Sequence, residues 1–147
     1  MLQRKSGQIV FMNSLQGKIG LAFRTGYSAS KHALTGFADS LRAEVEEHGV
    51  FVTSLHPGYV NTNLSKNALA SEAGRTHGRI DENTSKGQSA EAFSKRALRA
   101  IYLKERETLI PDSFKNGVAV PLRNLFPGLI FWFVEKKKQK ELKKKID

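Results

Sequence analysis

Ser14, Tyr27 and Lys31 are the residues in this chain whose types and spacing could do chemistry. Tyr27 and Lys31 are four apart, which on a helix puts both side chains on one face, one turn apart. A phenol normally titrates near pH ~10 and is a poor acid or base at neutral pH. An ammonium one turn away stabilises the phenolate and brings that titration down. The phenol can then exchange a proton with an alcohol or a ketone. A serine hydroxyl can hydrogen-bond the same substrate oxygen and hold it in place, so Ser14 and Tyr27 together are candidate substrate contacts.

These residues need elements that bring them together. Residues 8–12 are a short run of Ile9, Val10, Phe11 and Met12 after Gln8, which predicts a strand buried on both faces of a parallel sheet. Residues 17–26 read as a loop. A helix is expected over 27–48, with Ala33, Phe37, Leu41 and Val45 as its apolar stripe and Gly49 as its stop. Residues 51–55 read as a second strand, ended by Pro57 and Gly58. Strand, helix, strand is a βαβ unit with a parallel sheet and a right-handed crossover. Ser14 then leaves the carboxyl end of the first strand, Tyr27 and Lys31 start the returning helix, and Pro57-Gly58 leaves the second strand. All fall on the edge where open α/β sheets bind ligands.

Further along, residues 63–88 are polar, with little periodicity, and read as a mobile loop with a short helix near 64–70. Ser89 is an expected N-cap with Glu91 in the first turn. Phe93, Ala97 and Ile101 are the inward positions of a helix reaching about Leu103. Thr108, Leu109 and Ile110 are a third strand, checked by Pro111. Residues 118–134 are apolar and aromatic, interrupted by Pro121, Arg123 and Pro127, and run straight into Lys136, Lys137 and Lys138. Residues 135–147 hold seven lysines against three acids. Aromatic residues beside a lysine cluster suit a membrane interface with anionic headgroups. The competing expectation is a C-terminal helix packed on the core and followed by a solvated tail.

Composition narrows the classes. A chain of 147 residues, 39% hydrophobic and 26% charged, can build one domain with a real core. The absence of cysteine excludes a disulfide framework and a thiolate metal site. His32, His48, His56 and His77 are scattered with no metal-ligand spacing, so no metal is expected. The net charge of +10 comes without a helix-turn-helix, RNP or zinc-finger pattern, so no nucleic-acid partner is expected. No apolar run reaches the roughly eighteen residues of a membrane span, and the first six residues have no signal-peptide core.

The order Ser14, then Tyr-x-x-x-Lys within residues 27–34, then Pro57-Gly58 after the next strand resembles the active site of the short-chain dehydrogenase/reductase family. The resemblance covers about residues 7–122. It implies an α/β fold with a Rossmann-like parallel sheet, here partial, with about three strands and flanking helices. It implies NAD(P), and NADP(H) in preference, as cofactor, and hydride transfer to or from a small carbonyl or alcohol, lipid-like if the membrane expectation holds. In the roles it implies, Tyr27 is the general acid/base and Ser14 orients the substrate oxygen. Lys31 eases the ionisation of Tyr27 and holds the nicotinamide ribose, and Tyr27 also contacts the cofactor. Pro57, Gly58, Val60 and Thr62 contact the nicotinamide end, with proline and glycine letting the backbone approach the ring.

The family's glycine-rich nucleotide fingerprint does not occur, nor does the asparagine it carries upstream of the serine strand. The N-terminal nucleotide-binding half is therefore expected to be absent, leaving a C-terminal domain part at 1–122 and a tail at 123–147. Asn13 stands where many members have a second serine, a change expected to matter little. Residues 9–18, Ile-Val-x-x-x-Ser-x-Gln-Gly-Lys, together with the tail resemble a membrane-associated branch of the family, dehydrogenase/reductase member seven. That implies membrane association, at the endoplasmic reticulum for example, with a cytoplasmic protein as the other expectation. A different class of function stays open beside the enzyme: a non-catalytic, membrane-attached interaction module. A first strand without neighbours before it also predicts homo-oligomers.

Overall fold

A computed structural model describes residues 1–64, 67, 78 and 82–143, the side chains of 141 and 143 excepted. Strand β1 (Gly7–Met12) leads through a single 3-10 turn (Leu15–Gly17) into helix α1 (Thr25–Val45), a second 3-10 turn (Glu46–His48) and strand β2 (Val50–Pro57). There follow β3 (Val60–Asn61), α2 (Glu82–Ser85), β4 (Gln88–Ser89), α3 (Ala90–Tyr102), β5 (Glu107–Ile110), α4 (Phe114–Leu125) and α5 (Pro127–Lys143). The main sheet has the order β1-β2-β5 and is parallel throughout. β1 pairs with β2 from Gly7↔Val50 to Met12↔Leu55, and β2 with β5 from Ser54↔Glu107 to Pro57↔Ile110. The fold is therefore α/β, a three-stranded parallel piece of a Rossmann-like sheet with flanking helices.

Alternation along the strands sorts the core into two faces. Val50 and Val52 pack with Ala38 and Val45 of α1, joined by Ile9, Phe11 and Leu41. On the opposite face Leu55 and Ile110 pack with Ala97 and Ala100 of α3, joined by Phe93 and Ile101. The third strand and the Ser89 cap stand as expected, the Ser89 hydroxyl accepting from the Ala92 amide at 3.1 Å. Gly49 ends the α1 segment at φ +68°, and a Cβ there would lie 2.4 Å from the Lys5 carbonyl, so only glycine fits on both counts.

Several expectations are corrected. α1 begins at Thr25, two residues earlier than expected, and its last turn is 3-10. The expected stripe is half right: Val45 is buried and Leu41 half-buried, but Ala33 and Phe37 are exposed, and Ala38 is the fully buried position. β1 is buried on one face only. Ile9 and Phe11 turn toward α1, whereas Val10 and Met12 are exposed, because α3 packs over β2 and β5 rather than β1. Most of the polar segment at 63–88, with the short helix expected at 64–70, lies outside the described residues. Its described end holds α2 and the two-residue parallel pair β3–β4, which the sequence did not announce.

The C-terminal segment divides. Val120 of α4 and Ile130 of α5 are buried against Ile19, with Leu15, Leu21, Leu109, Leu122 and Val134 around them. The boundary expected after Leu122 falls inside α4. Leu125, Phe126, Leu129, Phe131, Trp132 and Phe133 remain exposed.

Candidate active site

Everything of chemical interest leaves the carboxyl edge of the sheet. Tyr27 is the third residue of α1, in the first turn. The unpaired N–H groups and positive dipole end of a helix favour an anion there. Its side chain is open to solvent, at 39% exposure. Just upstream, Phe23 holds φ +62°, a left-handed conformation uncommon for a bulky residue, at the entry to this helix.

Lys31 follows one turn later. Its Nζ donates to the Met12 carbonyl at 3.0 Å and lies 5.7 Å from the centroid of the Tyr27 ring. The ammonium is thus pinned between the end of β1 and the phenol. Burial holds the Lys31 pKa below the ordinary lysine value.

Ser14 caps the 3-10 turn and is nearly buried, with its Oγ accepting from the Gln16 amide at 3.1 Å. That bond uses an oxygen lone pair and leaves the hydroxyl proton free to be donated. The Ser14 carbonyl accepts from the Gly17 amide at 2.8 Å and faces His56 Nδ1 at 3.1 Å. The Ser28 hydroxyl, next to Tyr27, donates to Gln16 Oε1 at 3.1 Å. Gln16 therefore ties the serine turn to the start of α1.

Asn13 does more than was expected of it. Its Oδ1 accepts from the Ser14 amide at 2.9 Å, and its Nδ2 donates to Thr35 Oγ1 at 2.9 Å. The Thr35 hydroxyl sits 3.1 Å from the Lys31 carbonyl and 3.2 Å from that of Gly17. One amide side chain thus positions both Ser14 and the helix that carries Lys31. A serine cannot donate and accept across that span with one hydroxyl.

Pro57 ends β2 opposite Ile110, and Gly58 donates from its amide to the Ile110 carbonyl at 3.0 Å. A Cβ on Gly58 would lie 2.0 Å from Asp112 Oδ1, and that same oxygen accepts from the Tyr59 amide at 3.1 Å. Asn116 Nδ2 braces both Asp112 oxygens at 3.0 Å. Glycine is thus required here by the Asp112 clamp. Val60 continues into β3, and Thr62 is exposed, its Oγ1 accepting from the Leu64 amide at 3.4 Å.

The structure brings Ser14, Tyr27, Lys31 and the Pro57–Gly58 turn to one edge. Thr35 and Asp112 carry no mark in the sequence as supports, and Gln16 stands there only inside the motif at residues 9–18. The donor set suits the ribose end of a nicotinamide nucleotide: Lys31 has three N–H groups and spends one on Met12. The phosphates find no glycine-rich turn here. Among the described residues no group of three histidines or acids could hold a metal.

Comparison with known proteins agrees with this fold. Residues 1–73 match the model of the short chain dehydrogenase family. The chain is 44% identical over 145 residues to mouse (Mus musculus) "Dehydrogenase/reductase SDR family member 7B", covering 99% of this chain and 44% of that protein. It is 44% identical over 137 residues to the Drosophila melanogaster "Dehydrogenase/reductase SDR family protein 7-like", covering 93% and 41%. The chain thus spans less than half the length of these relatives. Among solved structures, a short chain dehydrogenase from Burkholderia cenocepacia in complex with NADP superposes with a TM-score of 0.67 at 19% identity, covering 90% of this chain and 49% of that one. A variant of actinorhodin polyketide ketoreductase with NADPH gives 0.52 at 26% identity, covering 76% and 47%. With sequence, relatives and sheet in agreement, the chain belongs to the short-chain dehydrogenase/reductase family.

Proposed function

We propose that these residues serve an NAD(P)-dependent oxidoreductase that reduces a carbonyl or oxidises a secondary alcohol. The observation that carries this is the Lys31 ammonium, anchored to the Met12 carbonyl beside Tyr27 on the sheet edge that also bears Ser14. Bound NAD(P)H supplies the hydride. In the reducing direction the Ser14 hydroxyl donates to the substrate oxygen and fixes its place. The Tyr27 hydroxyl gives that oxygen its proton as the carbonyl becomes an alcohol. Lys31 stabilises the phenolate left behind and offers its remaining N–H groups to the ribose. NADPH is the favoured nucleotide, because the two solved relatives named above hold NADP and NADPH.

The chain covers 44% of the mouse relative, so the test fuses it to the part of that relative it does not match. NADPH titrated against the fusion should bind. Lys31→Met should weaken binding about tenfold or more, since a hydrogen bond from a charged group is worth roughly 1.5–3 kcal/mol. A fusion that folds but ignores NADPH would favour the non-catalytic module.

Membrane contact is the second part of the proposal, and the exposed aromatic corner of α4 and α5 supports it. Lys136 Nζ stands 4.0 Å from the Trp132 ring centroid, and the Arg123 guanidinium 4.9 Å from that of Phe131. Apolar rings rimmed by cations fit an interface of anionic headgroups. A lipid-like substrate would be consistent with such a site. Among the described residues no helix is long and apolar enough to cross a membrane. Deleting the whole tail would strip Ile130 and Val134 from the core, so the better variant is Leu129→Gln with Trp132→Gln and Phe133→Gln. It should lose most co-sedimentation with anionic vesicles. Binding of the unaltered chain should weaken with salt, the Debye length being about 10 Å at 0.1 M. Unchanged sedimentation would assign these rings to a protein partner.

A further inference from the structure

His56 is the penultimate residue of β2 and is fully buried. A carbonyl can only accept, so the 3.1 Å contact of Nδ1 with the Ser14 carbonyl places the ring proton on Nδ1. Nε2 is then a bare acceptor, with no hydrogen-bond partner among the described residues. It lies 3.7 Å from Glu107 Oε2, which itself pairs with Lys18 Nζ at 2.7 Å. Lys18 directly follows the 3-10 turn that Ser14 caps. The serine turn is therefore held at both ends from the sheet: its first carbonyl by His56 of β2, and its last residue's neighbour by Glu107 of β5.

We infer that His56 is a positioning residue, whose buried Nδ1–H holds the Ser14 carbonyl and so sets where the Ser14 hydroxyl points. What that hydroxyl acts on rests on the oxidoreductase proposal; the positioning itself does not. The two neutral tautomers are not equivalent here. A proton on Nε2 would face the Glu107 carboxylate but would leave the Nδ1 lone pair against the Ser14 carbonyl and free the turn.

The charged groups around the ring come from three elements. Glu107 of β5 and Asp39 of α1 favour an added proton, as does the Ser14 carbonyl, while Lys18 and, above all, burial oppose it. Burial prevails and holds the His56 pKa below the ordinary histidine value. An unfolded chain thus takes up this proton first, near pH ~6.5. The stability tied to neutral His56 is complete above that pH and is lost as the pH falls from there toward the folded value.

The test uses the full 147-residue chain and two substitutions that each imitate one ring nitrogen. The side-chain amide of His56→Asn reaches the place of Nδ1, and that of His56→Gln the place of Nε2. Amide hydrogen exchange is read at Gln16 and Gly17, whose N–H groups close the serine turn. His56→Asn should keep their protection, whereas His56→Gln should speed their exchange about tenfold or more without changing Val52 or Leu55. Long-range ¹⁵N spectra of the unsubstituted chain should show the Nδ1–H tautomer, which decides the matter even if a variant fails to fold. An Nε2–H tautomer, or equal exchange in the Asn and Gln variants, would overturn the assignment. These readouts need no turnover, so the positioning role and the oxidoreductase proposal fail separately.

Discussion

Tyr27→Phe, in the fusion that supplies the nucleotide-binding part, is expected to lower turnover by about 10²-fold or more, the usual scale for losing a general acid–base group. The substitution removes one oxygen from a ring that is 39% exposed and sits in a first helical turn. Packing therefore changes little, and NADPH affinity should stay close to that of the parent because Lys31 is untouched. The loss should fall on kcat rather than on cofactor binding. Lys31→Met should do the converse and weaken NADPH binding, because it removes the ammonium that Met12 anchors beside the ring. Stopped-flow or steady-state NADPH oxidation reads both effects. Parental turnover in the Tyr27→Phe protein would remove Tyr27 from the chemistry and the proposal with it.

Much of the fold was legible because its signals are local. Two short apolar runs, a glycine stop and a serine cap placed β1, β2, the end of the α1 segment and the start of α3 within a few residues. The misread helix stripe has a geometric cause. Steps of four on a helix of 3.6 residues per turn drift by about 40° each, so Ala33, Phe37, Leu41 and Val45 spiral off the core face. The buried side runs instead through Leu34, Ala38, Leu41 and Val45, the spacing of three and four that tracks one face.

The site was legible at its reactive residues and opaque at their supports. Ser14, Tyr27 and Lys31 lie close in the chain, on one strand end and one helix. His56 meets Ser14, and Asp112 meets Tyr59, only because neighbouring parallel strands end at the same edge. A single sequence carries no mark of such pairings. Asn13 shows the same limit: nothing in its position announces that its amide reaches Thr35 across the returning helix.

The 147-residue chain by itself is expected to self-associate and to show no dehydrogenase turnover. Among the described residues β1 has a partner on one side only, β2, and its other edge presents unpaired backbone groups. The face of β1 that α3 touches only at Gln8, through the Ile101 carbonyl, exposes Val10 at 37% and Met12 at 51%. An apolar edge strand open on one side and one face is a template for another chain. Pairing two such edges would complete the ladders and cover the same side chains. Charge on that face is the simplest remedy, so Val10→Lys with Met12→Lys should shift the chain toward monomer at equal concentration, without touching Ile9 or Phe11 on the packed face. Size-exclusion chromatography with light scattering reads the mass, and a thermal melt reads cooperativity. If the unsubstituted chain elutes as a monomer and melts in one sharp transition, the open edge is not a liability. The non-catalytic module then becomes the better description of this chain.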